Sequence, residues 1–224
     1  MFINKHLSEL LKVLNIKLKA VEQIDSKTLR FNDVQWAGLY NYISVNDVLE
    51  RIESVNQEEN LITFKKDILK TDTIRLPEPT LFVGSRMVKR SELHIYSNDY
   101  NDKLPMIWLN FPSNISLHEP EKSLGLNYDE LWKNLRLFFI ADSDREQWTS
   151  KETLEFRTEV LTKMARYFIN NISYPYKISF KDDIATYKFL PIFGVETEKG
   201  AIKEIIEGNL SAVFIDFNLY YNNC

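Results

Sequence analysis

The sequence predicts an α+β fold in which helices pack on an antiparallel or mixed sheet. Three stretches support this prediction: an amphipathic pattern over residues 2–21, a dense apolar run over residues 135–141, and a second amphipathic pattern that begins near Ser150. In both amphipathic patterns most apolar residues recur three or four positions apart, the spacing of one buried helix face. The apolar run has the length of a buried strand. We therefore expect the helices to lie on that strand's sheet.

The second helix also has a start signal. Thr149 precedes Glu152 by three residues, which is the spacing of a capping box in which each side chain binds the other residue's backbone amide. Apolar residues then continue at helical spacing as far as Ile172. The polar residues 142–144 end the preceding strand. The sequence thus predicts strand, acidic turn and helix as one packed unit.

Most of the remaining chain has the pattern of short strands. Residues 48–55 and 61–64 flank a polar linker of hairpin length, and two prolines at 77 and 79 exclude a central strand there. We therefore expect a single domain over residues 1–224 with a β-rich insertion at about 43–80. A hairpin is predicted around residues 181–183 and a short helix at 202–206. Further strands are predicted at residues 81–83, 93–96, 104–111 and 210–221.

Composition excludes several classes of function. The net charge of -4 argues against a protein that neutralises many phosphates, so free nucleic acid is not expected as the principal partner. The single cysteine, Cys224, allows no intramolecular disulfide and no Cys/His metal site. No apolar run approaches the roughly 20 residues that cross a bilayer, and no signal peptide is visible. We expect a soluble chain with no membrane partner.

The acidic residues after the apolar run admit two interpretations. Asp142 and Asp144 follow a strand with the spacing of carboxylates that bind a divalent cation, and with His94 they would suit a metal-assisted hydrolase. The same acids also suit the end of a strand and the positive end of the following helix dipole. We prefer the second interpretation, and so predict no enzyme, no catalytic residue, no metal and no cofactor.

Two further groups of residues suggest contacts with macromolecules. Arg86, Lys89 and Arg90 cluster without an acid among them, which is typical of a solvated loop and also of a surface that lines a DNA passage. Trp36, Trp132 and Trp148 are predicted to lie in loops, and tryptophan is enriched at protein interfaces.

The polar stretch 113–130 is unusually long for a connection in a compact domain. It carries several apolar residues, which favour a loop that docks on another surface. The leucines in question are Leu117, Leu124 and Leu126.

The order of these pieces resembles small virion proteins of tailed bacteriophages. The resemblance rests on Leu-Phe-Val-Gly at 81–84, Leu-Pro-Met-Ile-Trp-Leu at 104–109, Leu-Phe-Phe-Ile-Ala-Asp-Ser-Asp at 137–144 and Asn-Leu-Ser-Ala at 209–212. In particular the chain is similar to tail-terminator or head-to-tail joining proteins, which form neck rings, in phages of Bacteroides-type hosts such as the crAss-like group. The resemblance covers most of residues 80–224 and, more loosely, residues 1–79.

The resemblance implies a non-catalytic structural protein without a cofactor. Such proteins form rings of six or twelve copies at the phage neck, contact portal or connector and tail proteins, and let DNA pass transiently through the lumen. Leu117, Leu124, Leu126 and the insertion at 45–79 would then dock on neighbouring subunits. The expected location is the virion, with the host cytoplasm during assembly. A soluble adaptor that binds one host protein through the insertion is a further alternative.

Overall fold

A computed structural model describes residues 2–34, 36–84, 105–110, 116–119, 128–142, 151–190, 195–198, 201–204 and 210–222. The described residues are mostly β-sheet, with sixteen strands and two α-helices. Helices α1 and α2 span Phe2–Leu11 and Lys151–Asn170, and 3-10 turns lie at Lys12–Leu14, Ala37–Leu39 and Lys181–Asp183.

The first eight strands lie within residues 16–84. They are β1 (Ile16–Leu18), β2 (Ala20–Gln23), β3 (Thr28–Phe31), β4 (Tyr42–Val45), β5 (Val48–Asn56), β6 (Leu61–Phe64), β7 (Ile74–Leu76) and β8 (Thr80–Gly84).

The remaining strands follow. They are β9 (Met106–Asn110), β10 (Ser116–His118), β11 (Glu130–Asp142), β12 (Tyr176–Ser179), β13 (Lys188–Leu190), β14 (Val195–Glu198), β15 (Ala201–Glu204) and β16 (Leu210–Tyr221).

Strands β1 to β7 form a nearly closed, barrel-like antiparallel sheet. The strand order is β1-β7-β4-β5-β6-β3-β2. The two outermost strands, β1 and β2, are separated in sequence only by Lys19, so one bent stretch of chain supplies both edges and brings them together. Closing a sheet in this way removes the unpaired strand edges that would otherwise face solvent.

The second large sheet is built around the two longest strands. Strand β16 pairs antiparallel with β11 over almost its whole length, β9 pairs with β11, and β8 joins β9 in parallel. One face of this sheet is continuous with the core of the barrel and with helices α1 and α2, where Phe139 meets Phe168 edge to face at 5.7 Å. The opposite face carries a separate buried cluster that contains Trp108, Phe138 and Phe214. Apolar residues on both faces explain why residues 135–141 form an unbroken apolar run.

The predicted α+β class, with helices packed on one sheet, is wrong. The clearest error is the helix predicted over residues 2–21, because α1 ends at Leu11 and the chain turns into β1 and β2. Leu14 and Leu18 are buried and Ile16 is half-buried, whereas Lys17 and Lys19 are exposed. This alternation has period two, as in a strand, and Ile16–Leu18 finds a partner in β7.

Two shorter predictions are also wrong. Strands β12 and β13 do not pair with each other around residues 181–183, because both pair with β16, at Ser179↔Asn218 and at Lys188↔Phe214. Of the predicted helix at 202–206, the described residues 202–204 belong instead to β15, which pairs with β14. Strands β12 and β13 thus pair with the edge of β16 and not with each other in a local hairpin.

Several local predictions are confirmed. The hairpin of β5 and β6, the strands β8, β9 and β16, the strand over residues 135–141 and helix α2 all occur where the sequence predicts them. Strands from the predicted insertion pair with β1 and β3, and the division of the chain into a core and an insertion stays a prediction.

Candidate functional site

Among the predicted interface residues, two tryptophans are described and both are buried. Trp36 is 2% exposed and its ring packs edge to face on Tyr167 of α2, with ring centres 4.9 Å apart. Trp132 is 9% exposed and lies within β11, so its predicted position in a loop is wrong. Leu117 lies in β10 directly opposite Trp132. Residues Leu124, Leu126 and Trp148 lie outside the described residues, and the interface role of the whole group stays a prediction.

Most of the residues predicted to face DNA or to bind a metal lie outside the described part of the chain. These residues are Arg86, Lys89, Arg90, His94 and Asp144. Asp142 is half-buried at the end of β11, opposite Leu210. Within the described residues, no group of three or more His, Cys, Asp or Glu side chains could hold a metal ion. In that same part of the chain no helix is both long and apolar enough to cross a bilayer.

A polar cluster links α1 to one end of the second sheet. His6 is 7% exposed, and its Nδ1 lies 3.1 Å from the hydroxyl of Tyr176. Its Nε2 lies 3.6 Å from a carboxylate oxygen of Glu130, which also accepts a hydrogen bond from the indole of Trp132. Burial raises the pKa of Tyr176, and its neighbours Tyr221, Glu9 and Glu130 raise it further. The cluster satisfies buried polar groups and so fixes α1 on the sheet.

Exposed apolar side chains collect at one end of the barrel. Among the described residues, seven large apolar side chains are exposed, and four of them lie at this end, two in the connections between strands and two as the first residues of β5. We call these four residues the apolar end: Ile24, Val48, Leu49 and Leu69, with exposures of 45%, 57%, 58% and 61%. Singly exposed apolar residues are normal on protein surfaces, whereas a collected group marks an interaction site.

The loop 65–73 closes the barrel at the apolar end. Ile68 is 4% exposed and belongs to the core, while its neighbour Leu69 points outward. The side-chain amide of Gln23 holds this loop, because it donates to the Ile68 carbonyl at 2.9 Å and accepts from the Lys70 amide at 3.1 Å. The backbone amide of Ile68 also donates to the Ser26 carbonyl at 2.8 Å.

Asn46 ties the same loop to the neighbouring turn. Its side chain donates to Asp72 and accepts from the Thr73 amide, each at 2.9 Å. Asp72 in turn accepts from the Leu69 amide at 2.7 Å. Asn46 and Asp47 have φ of 50° and 65°, which Asn and Asp tolerate and a two-residue hairpin turn requires. The apolar side chains therefore stand on a preorganised framework.

The other end of the barrel faces α2 across an open polar cavity of about 570 Å³. We call it the polar cleft. The barrel contributes the residues that follow β3 and the turn between β5 and β6, and α2 contributes one face of its last turns. The lining residues are Asp33, Val34, Trp36, Gln57 and Asn60 from the barrel and Lys163, Arg166, Tyr167 and Asn170 from α2.

No protein-family model matches the chain, and no curated protein matches it either.

Neither the apolar end nor the polar cleft was singled out from the sequence. The Asn-Asp pair at 46–47 is a readable turn signal, but the exposure of Val48 and Leu49 depends on where the barrel closes. Lys163 and Arg166 are three residues apart on a predicted helix and therefore share a face. Only the tertiary fold shows that this face looks onto the turn between β5 and β6.

Proposed function

We propose that the protein is a structural, non-catalytic subunit that is joined to other protein subunits through the apolar end of its barrel. The observation that carries this proposal is the exposure of Ile24, Val48, Leu49 and Leu69 at one end of the barrel, in or directly beside connections fixed by hydrogen bonds. Covering such residues gains about 25 cal/mol for each Å² of apolar surface removed from water. Because the framework is already ordered, little conformational entropy is lost on binding.

The specific assembly that we propose is a ring at the neck of a tailed phage, of six or twelve copies, next to portal or connector and tail proteins. Three of the four residues of the apolar end lie within 45–79, the range that the resemblance to neck-ring proteins assigns to docking on neighbours. A ring needs two different faces on each subunit. The apolar end would supply one face, and the protein would then be located in the virion.

Self-association tests this proposal directly. We expect the purified protein to form an oligomer whose mass, measured by light scattering or analytical ultracentrifugation, is several times that of one chain, and to form rings in electron micrographs. The double substitution Leu49→Ser and Leu69→Ser should shift the mass toward the monomer. The matched control is Ile184→Ser, because Ile184 is 65% exposed and lies outside the barrel. A protein that stays monomeric at all concentrations contradicts the proposal, as does equal dissociation by the control.

A further inference from the structure

The polar cleft has chemistry different from that of the apolar end, and it does not depend on the assembly role. Its volume of about 570 Å³ is in the range of small-molecule sites. Its helix wall carries two cations one turn apart, Lys163 and Arg166, and its barrel wall carries one carboxylate, Asp33. The lining is therefore net positive by one charge, in a protein whose total charge is negative.

Within the described residues, neither of these two cations is paired with a carboxylate, unlike some of the other cations that the structure describes. Lys12, Arg30, Lys66 and Arg136 each lie within ion-pair distance of a carboxylate. Across the described ranges, neither Lys163 nor Arg166 has such a carboxylate. The guanidinium of Arg166 is instead placed over the ring of Tyr187, 5.4 Å from its centre. The Arg166 side chain also shares a hydrogen bond with Tyr187. A guanidinium carries five N–H donors, and those that remain match the oxygens of a phosphate or carboxylate.

Side-chain amides complete the cleft. Gln57 and Asn60 stand on the barrel wall and Asn170 on the helix wall, so each wall offers both donors and acceptors. Such groups, together with the carboxylate of Asp33, can bind hydroxyl groups. The walls are also fixed in position, because Trp36 packs on Tyr167 and the amide of Phe31 donates to the carbonyl of Asn60 at 2.9 Å.

We propose that the polar cleft binds a small molecule that carries one oxyanion, a phosphate or a carboxylate, on a skeleton rich in hydroxyl groups. The oxyanion lies against Lys163 and Arg166. The hydroxyl groups face Asp33 and the amides of Gln57 and Asn60.

Calorimetric titration of the full chain with three probes tests this proposal. The probes are ribose 5-phosphate, gluconate and neutral ribitol, so that the first two distinguish phosphate from carboxylate and the third removes the charge. We expect at least one of the two anions to bind and ribitol not to bind. Binding should weaken as salt increases, since both cations are exposed.

The variant Lys163→Gln with Arg166→Gln should bind the preferred anion at least about tenfold more weakly, because two charge-assisted hydrogen bonds are lost. Both side chains are exposed, and circular dichroism would verify that the variant is folded. The matched control Lys177→Gln with Lys181→Gln removes two exposed lysines elsewhere and should leave binding unchanged. Failure of both anions to bind at up to about 10 mM, or equal binding by the double variant, overturns the proposal. Neither outcome depends on whether the protein forms a ring.

Discussion

The two open ends of the barrel are covered in different ways. At the apolar end the loop 65–73 folds across the opening, and its buried Ile68 completes the core while Leu69 faces outward. At the other end the opening is met by α2, and the space between them stays open and polar. The difference shows that one end of the barrel is filled by a loop between its own strands, whereas the other is covered by a helix from a later part of the chain. The other end becomes a surface whose chemistry is set by the element that packs there.

The largest expected effect comes from two neighbouring residues at the apolar end. Ile68→Ala should lower the free energy of unfolding by about 2–5 kcal/mol, because it leaves a cavity in the core. Leu69→Ala should change it by no more than about 0.5 kcal/mol, because that side chain is 61% exposed. Urea unfolding of both variants, measured at a concentration where the protein is a single species, checks this. Equal destabilisation by the two would mean that Leu69 is also part of the core.

A smaller effect is expected beside the polar cleft, at Tyr40. Its hydroxyl donates to the carbonyl of Pro77 at 3.0 Å, and burial raises the pKa of Tyr40 above its ordinary value. Tyr40→Phe should therefore cost about 1 kcal/mol at neutral pH.

The same residue sets a dependence on alkaline pH. Because the pKa of Tyr40 is raised by folding, its contribution to stability is complete below the unfolded value of about 10 and is lost as the pH rises above it. Unfolding measured from pH 8 to pH 11 should show a smaller alkaline loss in Tyr40→Phe than in the wild type. Tyr42→Phe, at a half-buried tyrosine of β4, is the control. An unchanged alkaline loss in Tyr40→Phe would contradict the prediction.

The sequence predicts those elements that depend on local patterns and fails for those that depend on pairing between residues far apart in the chain. Helix α2, the β5–β6 hairpin and strand β16 have strong local patterns, and all were predicted. Residues 12–21 are predicted as helix because apolar spacing is counted without weighing the alternation of Leu14, Ile16 and Leu18 against it. Pairing with Ile74–Leu76, some sixty residues away, decides that segment.

The two surfaces were beyond such prediction for a related reason. Lys163 and Arg166 would look like a solvated helix face in any sequence, and Leu69 would look like an ordinary buried leucine next to Ile68. The barrel determines the surface on which these residues lie, because it brings residues 57–60 close to the helix and leaves Leu69 facing outward. The sequence showed the residue types, but the long-range closure of β1 and β2 on the same barrel determines which surface each one reaches.

The smallest effect is expected at the apolar end, at Asp25. Its dependence on pH is opposite to that of Tyr40. Asp25, in the turn between β2 and β3, accepts hydrogen bonds from the amides of Lys27 and Thr28 at 2.7 and 2.8 Å. The bond from Lys27 is the main cause that lowers the pKa of Asp25 below its ordinary value. The contribution of Asp25 to stability is therefore complete above its unfolded pKa of about 4. It is lost as the pH falls through the lower pKa of the folded state.

Asp25→Asn should be slightly less stable than the wild type at pH 7, and the difference should be smaller at about pH 3, below the unfolded value of about 4. Thermal unfolding at both pH values measures this, with Glu53→Gln, an exposed carboxylate of β5, as the control. A difference that persists at low pH would assign the effect to the shape of the turn and not to its charge. Together with Tyr40→Phe, this variant would separate the two ends of the barrel by titration alone, since one end loses stability in acid and the other in alkali.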